Sequence, residues 1–363
     1  MKIAVTGPRG IPGVMGGVET HCEELLPRVR RLAPEAPITL FARAPYVSAG
    51  ARDHAGVHIV PVASTRSRSF EAIIGTFNGL LAARRARADI VHIHAIGPAL
   101  LAPFARLLGL RVVVTHHGED YRRAKWGRVA RTMLRLGEQF ACRAADRLIA
   151  VSPSLAERLR AAHPAAAARI RFIPNGVPKL PAAPADALAR FGLTPGAYIL
   201  AVARIVPEKG LHDLVDAHDR AGDPRMLVIA GGADHRSAYA TALQARASDK
   251  VRFVGQQDRA TLRALLEQAA LFVMPSYHEG LPIAALEAAS CGAPMLLSGI
   301  QPNRDIGLAE SHYFPVGDVD ALAAALARPA AGYAIDRAAL LAAFDWDRIA
   351  ERTLAVYREA AAA

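Results

Sequence analysis

Glu279 and Glu287 stand eight positions apart in MPSYHEGLPIAALEAASCGAP, residues 274–294. Between them Gly280, Leu281 and Pro282 read as a turn, and the Ala-rich run that follows reads as a helix stopped by Gly292 and Pro294. A helix N-terminus offers free N–H groups and the positive end of a dipole, which suits anionic and hydroxyl-rich ligands. One carboxylate can take a sugar hydroxyl pair while the other takes a second pair farther along the ligand. The same spacing also suits Glu279 as a charge that favours the dipole and Glu287 as a solvated helix residue. Arg204 and Lys209 lie in VARIVPEKGL, after a strand-like run and before Gly210. Two cations on such a loop can clamp a diphosphate and neutralise it as it leaves. The plainer alternative pairs them with Glu208 on the surface.

The N-terminal half carries weaker signals. Gly7, Gly10, Gly13, Gly16 and Gly17 crowd into GPRGIPGVMGGVET between a strand-like and a helix-like run. That order can cradle phosphate or make a flexible surface loop; no GK[ST] follows, and the spacing of a dinucleotide fingerprint is missing. His116, His117, Glu119 and Asp120 cluster in THHGEDYRRAKWG after another strand-like run. Histidines spaced so can ligate metal, but no third ligand pattern is evident, and a buried histidine bonded to backbone is the commoner case. His92 and His94 alternate in DIVHIH, so both should face one side and line a cleft. Over 121–147, Trp126, Val129, Met133, Leu136 and Phe140 recur at helical spacing beside Arg128, Arg131 and Arg135. This is either a basic amphipathic helix for an anionic membrane surface or an ordinary helix packing its apolar stripe on a sheet. The acids of DVD (318–320) and DWD (345–347) precede helices, so they read as caps, and no metal is expected.

These groups need elements to position them, and the chain supplies an α/β alternation. Short apolar runs at 2–6, 38–42, 57–62, 89–94, 111–115, 147–151 and 169–173 read as strands, with helices at 70–87, 98–108 and from Pro153, capped by Ser152. Val177 to Asp186 is Pro- and Ala-rich without periodicity and reads as a linker. The alternation then restarts at 198–203 and runs to a final helix at 345–362. Two parallel sheets in tandem imply residues 1–177 and 178–344 as domains, with a ligand cleft at the strand C-termini.

Composition sets the bounds. The 363 residues are 52% hydrophobic, enough for two cores, and no apolar run reaches the roughly 20 residues of a membrane span. MKIAVTG goes straight into a strand-like run, unlike a signal peptide. Cys22, Cys142 and Cys291 match no metal spacing and suit reduced thiols in the cytoplasm. A net charge of +11 implies an anionic partner, although the Ala- and Arg-rich composition also suits a GC-rich genome. Nucleic acid is disfavoured, because no aromatic stacking platform or known module is present.

GGVE at 16–19, HG at 117–118, NGV at 175–177, the RIVPEKG run and the EGLPIAALE run occur in an order that resembles the retaining glycosyltransferases of family four. The resemblance covers nearly the whole chain; VTGPRGIPGVMGGVET and HHGEDYRRAKWG look like a subgroup that includes bacterial rhamnosyltransferases and exopolysaccharide glycosyltransferases. It implies the GT-B architecture, two Rossmann-like domains facing across a cleft, with the helix from Asp345 crossing back onto the first. It implies sugar transfer with retention from a nucleotide diphosphate sugar to a glycan or lipid-linked acceptor, without metal or cofactor. Gly16 and Gly17 would then present N–H groups to the diphosphate, and Arg204 and Lys209 would hold it as it leaves. Glu279 and the backbone after it, at Gly280, Leu281 and Pro282, would bind the donor sugar, Glu287 the ribose, and His117 would stand near the reacting carbon. Glu19, His94 and Asp120 are placed on the acceptor side. Pro178 stands where an aspartate often follows NGV, so no role is assigned there. The alternatives are a GT-B sugar-nucleotide epimerase and a non-catalytic nucleotide-sugar binding protein.

Overall fold

The computed structural model describes residues 1–363 except 48, 49, 51, 66–69, 124, 125 and 234–236. Lys125 of the basic stretch therefore lies outside the described residues. The chain divides into two compact units: Met1–Gly176 with Asp345–Ala363, and Val177–Phe344.

The first unit is built on an eight-stranded sheet ordered β3-β4-β2-β1-β5-β6-β7-β8. Its strands are β1 (Ile3–Thr6), β2 (Ile38–Arg43), β3 (Asp53–His54), β4 (Val57–Val62), β5 (Ile90–His94), β6 (Arg111–His116), β7 (Arg147–Ala150) and β8 (Ile170–Phe172). Pairing is parallel throughout except for the short β3–β4 hairpin. The connecting helices are α1 (Gly17–Leu32), α2 (Glu71–Arg85), α3 (Ala102–Leu107), α4 (Arg128–Ala144) and α5 (Pro153–Ala162). Alternation along β1 divides the faces. Ile3 and Val5 pack with Leu25 and Leu26 of α1 and with Ile349, Leu354 and Tyr357 of the C-terminal helix, Trp346–Ala361. On the other face α2 approaches so closely that a Cβ at Gly79 would stand 2.6 Å from Thr6 Oγ1.

The second unit has a six-stranded, all-parallel sheet ordered β11-β10-β9-β12-β13-β14. Its strands are β9 (Tyr198–Val202), β10 (Met226–Ala230), β11 (Val251–Gly255), β12 (Leu271–Met274), β13 (Met295–Ser298) and β14 (Tyr313–Phe314). Its helices are α6 (Leu211–Ala221), α7 (Ala238–Gln244), α8 (Arg259–Glu267), α9 (Ile283–Cys291), α10 (Gln301–Arg304), α11 (Val319–Leu326) and α12 (Arg337–Ala343). The caps follow the sequence: Ser152, Asp318 and Asp345 each accept a backbone N–H three residues on, so the first acid of DVD and of DWD is a cap, while Asp320 pairs with Arg220 and Asp347 with Arg31.

Three details depart from the reading of the sequence. The helix expected over 98–108 opens as a 3-10 turn, Pro98–Leu101, and restarts as α3, because Pro103 lacks the N–H an unbroken helix needs there. The basic stretch becomes a 3-10 turn at Asp120–Arg122 followed by α4, which starts only after Gly127. His92 does not line a cleft. Its Nδ1 is 2.7 Å from the Tyr357 hydroxyl, which ties the C-terminal helix to the sheet, and its Nε2 is 2.7 Å from Thr115 Oγ1 on the neighbouring strand β6.

His92 belongs to a group of buried imidazoles. Burial pushes His92 down to about 3 and His21 down to about 4. Burial, helped by neighbouring imidazoles, also holds His94 and His117 well below the ordinary histidine value. Two outcomes are expected. Tyr357→Phe strands a buried ring nitrogen, so urea unfolding should show a loss of ~1–3 kcal/mol; an unchanged midpoint and slope would contradict the tie. Below about pH 6.5 the unfolded chain takes up protons that the folded histidines refuse. Stability is therefore complete above that value and should fall as the pH drops from about 6.5 toward 4. A melting temperature unchanged between about pH 7 and about pH 5 would show that these imidazoles do not carry the linkage.

Candidate functional site

In an open parallel sheet, ligands gather at the strand C-termini where the strand order reverses. In the second unit that point lies between β9 and β12. The loop after β9 ends in a 3-10 turn, Pro207–Lys209, and then Gly210, whose φ of +62° is left-handed. A Cβ at Gly210 would lie 2.1 Å from the carbonyl oxygen of Pro275, in the loop after β12. Glycine is required on both counts. The two loops are joined twice more. Tyr277 N–H donates to the Glu208 carbonyl at 3.0 Å, and Lys209 Nζ donates to Glu279 Oε1 at 2.5 Å. Ser298 at the end of β13 steadies the base of the β12 loop by donating to the Ser276 carbonyl at 2.5 Å.

Lys209 of the β9 loop and Glu279 of the β12 loop are therefore in direct contact. Arg204 is half-buried in the same β9 loop. The surface pairing with Glu208 is not what forms: Glu208 is only 6% exposed, neither of its carboxylate oxygens has a hydrogen-bond partner among the described residues, and Lys209 turns to Glu279 instead. Pro282 is the N-cap of α9 rather than its first residue, and no side chain caps that end. Gly280 is half-buried and Leu281 buried just before it, while Glu287 is half-buried one turn into α9.

In the first unit the order reverses between β1 and β5. Gly7, at φ +108°, sits against the end of β5, where a Cβ would lie 2.5 Å from the His94 carbonyl oxygen. The glycine-rich loop is held from α1. Glu19 Oε1 accepts the Arg9 N–H at 3.0 Å, and Glu23 accepts the Gly13 N–H at 2.9 Å. Gly16, at φ +150°, leaves room for the Glu19 carboxylate, which would be 2.0 Å from any Cβ there. Glu19 was expected on the acceptor side; its carboxylate is 5% exposed and committed to its own loop. Gly17 opens α1, whose N-terminus has no side-chain cap.

His94 and His117 lie at the ends of the neighbouring strands β5 and β6, with His94 Nδ1 3.0 Å from His117 Nε2. His21 of α1 completes a group of three. It donates from Nδ1 to Asn175 Oδ1 at 2.9 Å, and its ring centre is 4.8 Å from that of His117. The Nε2 atoms of His21 and His94 are buried with no hydrogen-bond partner among the described residues. One nitrogen from each of the three rings lies within 4.8 Å of the others, the arrangement a divalent metal would use. The third imidazole that the sequence did not disclose is thus His21. Its signal was the position in GGVETH, four residues after Gly17 and so one turn along the same helix end. Asn175 and Trp346 were missed as well; a Cβ at Gly176 would be 2.5 Å from the Trp346 ring, so the NGV glycine serves packing.

His116 turns away from His117. Its Nε2 is 2.8 Å from Glu138 Oε2, which Arg158 also reaches at 2.7 Å. Burial opposes ionisation of Glu138, yet these hydrogen bonds hold it down to about 2. Asp120 pairs with Arg123 at 2.8 Å.

With this geometry in place, comparison with known proteins is informative. Residues 15–179 match the model described as Glycosyltransferase Family 4, and residues 191–330 match Glycosyl transferases group 1. A D-inositol 3-phosphate glycosyltransferase of Mycobacteroides abscessus is 31% identical over 242 residues, which span 62% of this chain and 55% of that protein. A glycogen synthase of Mycobacterium tuberculosis is 32% identical over 290 residues, 75% of this chain and 69% of that protein. Among solved structures, Anabaena Alr3699/HepE in complex with UDP and glucose superposes with a TM-score of 0.77 at 17% identity, covering 99% of both chains. Each unit has a Rossmann-like parallel sheet, the fold is GT-B, and the chain belongs to the glycosyltransferases of family four and group 1.

Proposed function

We propose that this chain is a metal-independent, retaining glycosyltransferase that moves a hexosyl or deoxyhexosyl group from a nucleotide diphosphate sugar to a glycan or lipid-linked acceptor. The setting is bacterial polysaccharide assembly in the cytoplasm, in the subgroup of rhamnosyl- and exopolysaccharide transferases. The observation that carries this reading is the Lys209–Glu279 pair at 2.5 Å, on two loops in backbone contact at the strand-order reversal. A lone ion pair would be a structural feature. Here its lysine shares the β9 loop with Arg204 and its carboxylate precedes the N-terminus of α9, where a diphosphate and a sugar can each find a partner.

In this reading Arg204 and Lys209 bind the diphosphate, and the arriving phosphate competes for the ammonium that Glu279 now holds. Glu279, with the backbone at Gly280 and Leu281, takes hydroxyls of the sugar; Pro282 has no N–H and shapes the turn. Glu287 takes the ribose. Gly16 and Gly17 direct N–H groups at the diphosphate from the start of α1. The bond from the sugar's anomeric carbon to the phosphate oxygen breaks, and its electron pair stays on the phosphate, where the two cations offset the charge. The acceptor oxygen bonds the same face of that carbon and gives its proton to the departing phosphate. His117, kept neutral by burial, accepts or donates a hydrogen bond near the reacting carbon without adding charge. His94 sets the His117 ring through their 3.0 Å contact, and Asp120 lies on the acceptor side. The relative solved with UDP and glucose, and the relatives named for sugar transfer, support the substrate class.

A thermal-shift series with UDP, GDP, ADP and dTDP tests donor binding. At about a hundredfold over Kd the matching diphosphate should stabilise by about 2.7 kcal/mol, and Lys209→Ala should remove that gain. No shift with any of the four would contradict the reading. With the matching nucleotide sugar, Glu279→Gln should lower kcat/KM about a hundredfold, in line with loss of a charged hydrogen bond to the reacting substrate. Chelator should leave the rate unchanged; a rate abolished by chelation and restored by metal would assign the three-histidine group to catalysis instead.

A further inference from the structure

Phe70, Ile74 and Phe77 recur at one-turn spacing along the start of α2 and are 56%, 39% and 41% exposed. Phe77 stacks on Phe104 of α3 with 5.2 Å between ring centres. Leu107, one turn beyond Phe104, is 85% exposed. Exposed apolar side chains are ordinary when scattered; here they run as one strip over two neighbouring helices. The charge around the strip is positive. Arg84 and Arg85 in the last turn of α2, and Arg87 just beyond, are exposed and have no ion-pair partner among the described residues. Helix α4 packs beside α3 and exposes Arg128, Arg131 and Arg135. The acids of these helices are occupied, Glu71 by Arg43 at 2.7 Å and Glu138 by His116 and Arg158.

We propose that the α2–α3 strip rests on an anionic phospholipid surface, with its aromatic and aliphatic side chains in the headgroup region and the arginines on lipid phosphates. The sequence pointed to α4 alone. The structure adds an apolar strip on α2 and α3: α4 buries Gly137, Glu138 and Ala141 and exposes Val129 at 76% and Leu136 at 38% beside its arginines. A second copy is the less suited occupant, since its own unpaired arginines would meet these across a two-fold. The inference goes beyond the transfer reading: it concerns where the chain sits, and it stands or falls without any donor.

Flotation of the full chain with vesicles tests it. Binding is expected to vesicles of about one-third phosphatidylglycerol in phosphatidylcholine, and to weaken at least tenfold between about 0.05 M and about 0.5 M salt. Leu107→Ser alone should weaken partitioning several-fold, and Phe70→Ser/Phe77→Ser/Leu107→Ser at least tenfold. Arg84→Glu/Arg85→Glu/Arg87→Glu should abolish the preference for phosphatidylglycerol. Light scattering should show no dimer that these substitutions dissociate. Unchanged partitioning of the Leu107 and triple-serine variants, equal binding to pure phosphatidylcholine, or a dimer broken by the same changes would overturn the proposal. Nucleotide-induced melting shifts on the same variants should be unaltered, which separates failure at the lipid surface from failure of the donor site.

Discussion

A backbone contact governs the candidate site. The Gly210 Cα hydrogen faces the Pro275 carbonyl so closely that any side chain at 210 would overlap it. That contact brings the loops after β9 and β12 together, and the Lys209–Glu279 pair is its consequence. A lysine reaching out from a mobile strand-end loop would be solvated and of little use as a fixed charge. Held against Glu279 by two further ties, it is a positioned cation whose carboxylate partner stands ready beside it. Preorganisation of this kind is what transition-state stabilisation needs, since no reorientation remains to be done when charge develops.

Each unit has its own electrostatic character at its own strand-order reversal. In the second unit the groups at the strand-order reversal are ionic. In the first they are imidazoles made neutral by burial, with His21 fixed by Asn175 and His94 in contact with His117. Neutral rings orient hydroxyls without competing for phosphate, and the Nε2 atoms of His21 and His94, without a partner among the described residues, are polar capacity held inside the unit. The glycine-rich loop is likewise pre-shaped, with Glu19 and Glu23 accepting its amides.

Much of this was legible in the residues. Short apolar runs, and Ala-rich runs between Ser, Asp, Gly and Pro, mark parallel strands and their crossover helices, since each run obeys one periodicity. The order of Arg204, Lys209, Glu279 and Glu287 pointed to the ionic candidate site of the second unit, because a strand followed by a turn and a helix start is a local pattern. What remained hidden depends on distance in sequence. His21 and Asn175 are separated by 154 positions, and His92 and Tyr357 by 265, so no window links them. Alternation along DIVHIH showed that His92 and His94 share a face but not that Tyr357 would close over one of them. The two-residue strands β3 and β14 are too short to show any period. The exposed strip on α2 was read simply as a helix, because periodicity reports which residues align and not which side is covered.

A structure of the chain with its nucleotide diphosphate sugar bound would test the central claim most directly. The account requires the diphosphate within hydrogen-bond distance of Lys209 Nζ and Arg204, with a sugar hydroxyl on the Glu279 carboxylate and the 2.5 Å Lys209–Glu279 contact lengthened or shared. A ligand lodged elsewhere, with that pair left as it is, would reduce Lys209 and Glu279 to a structural clasp and contradict the account.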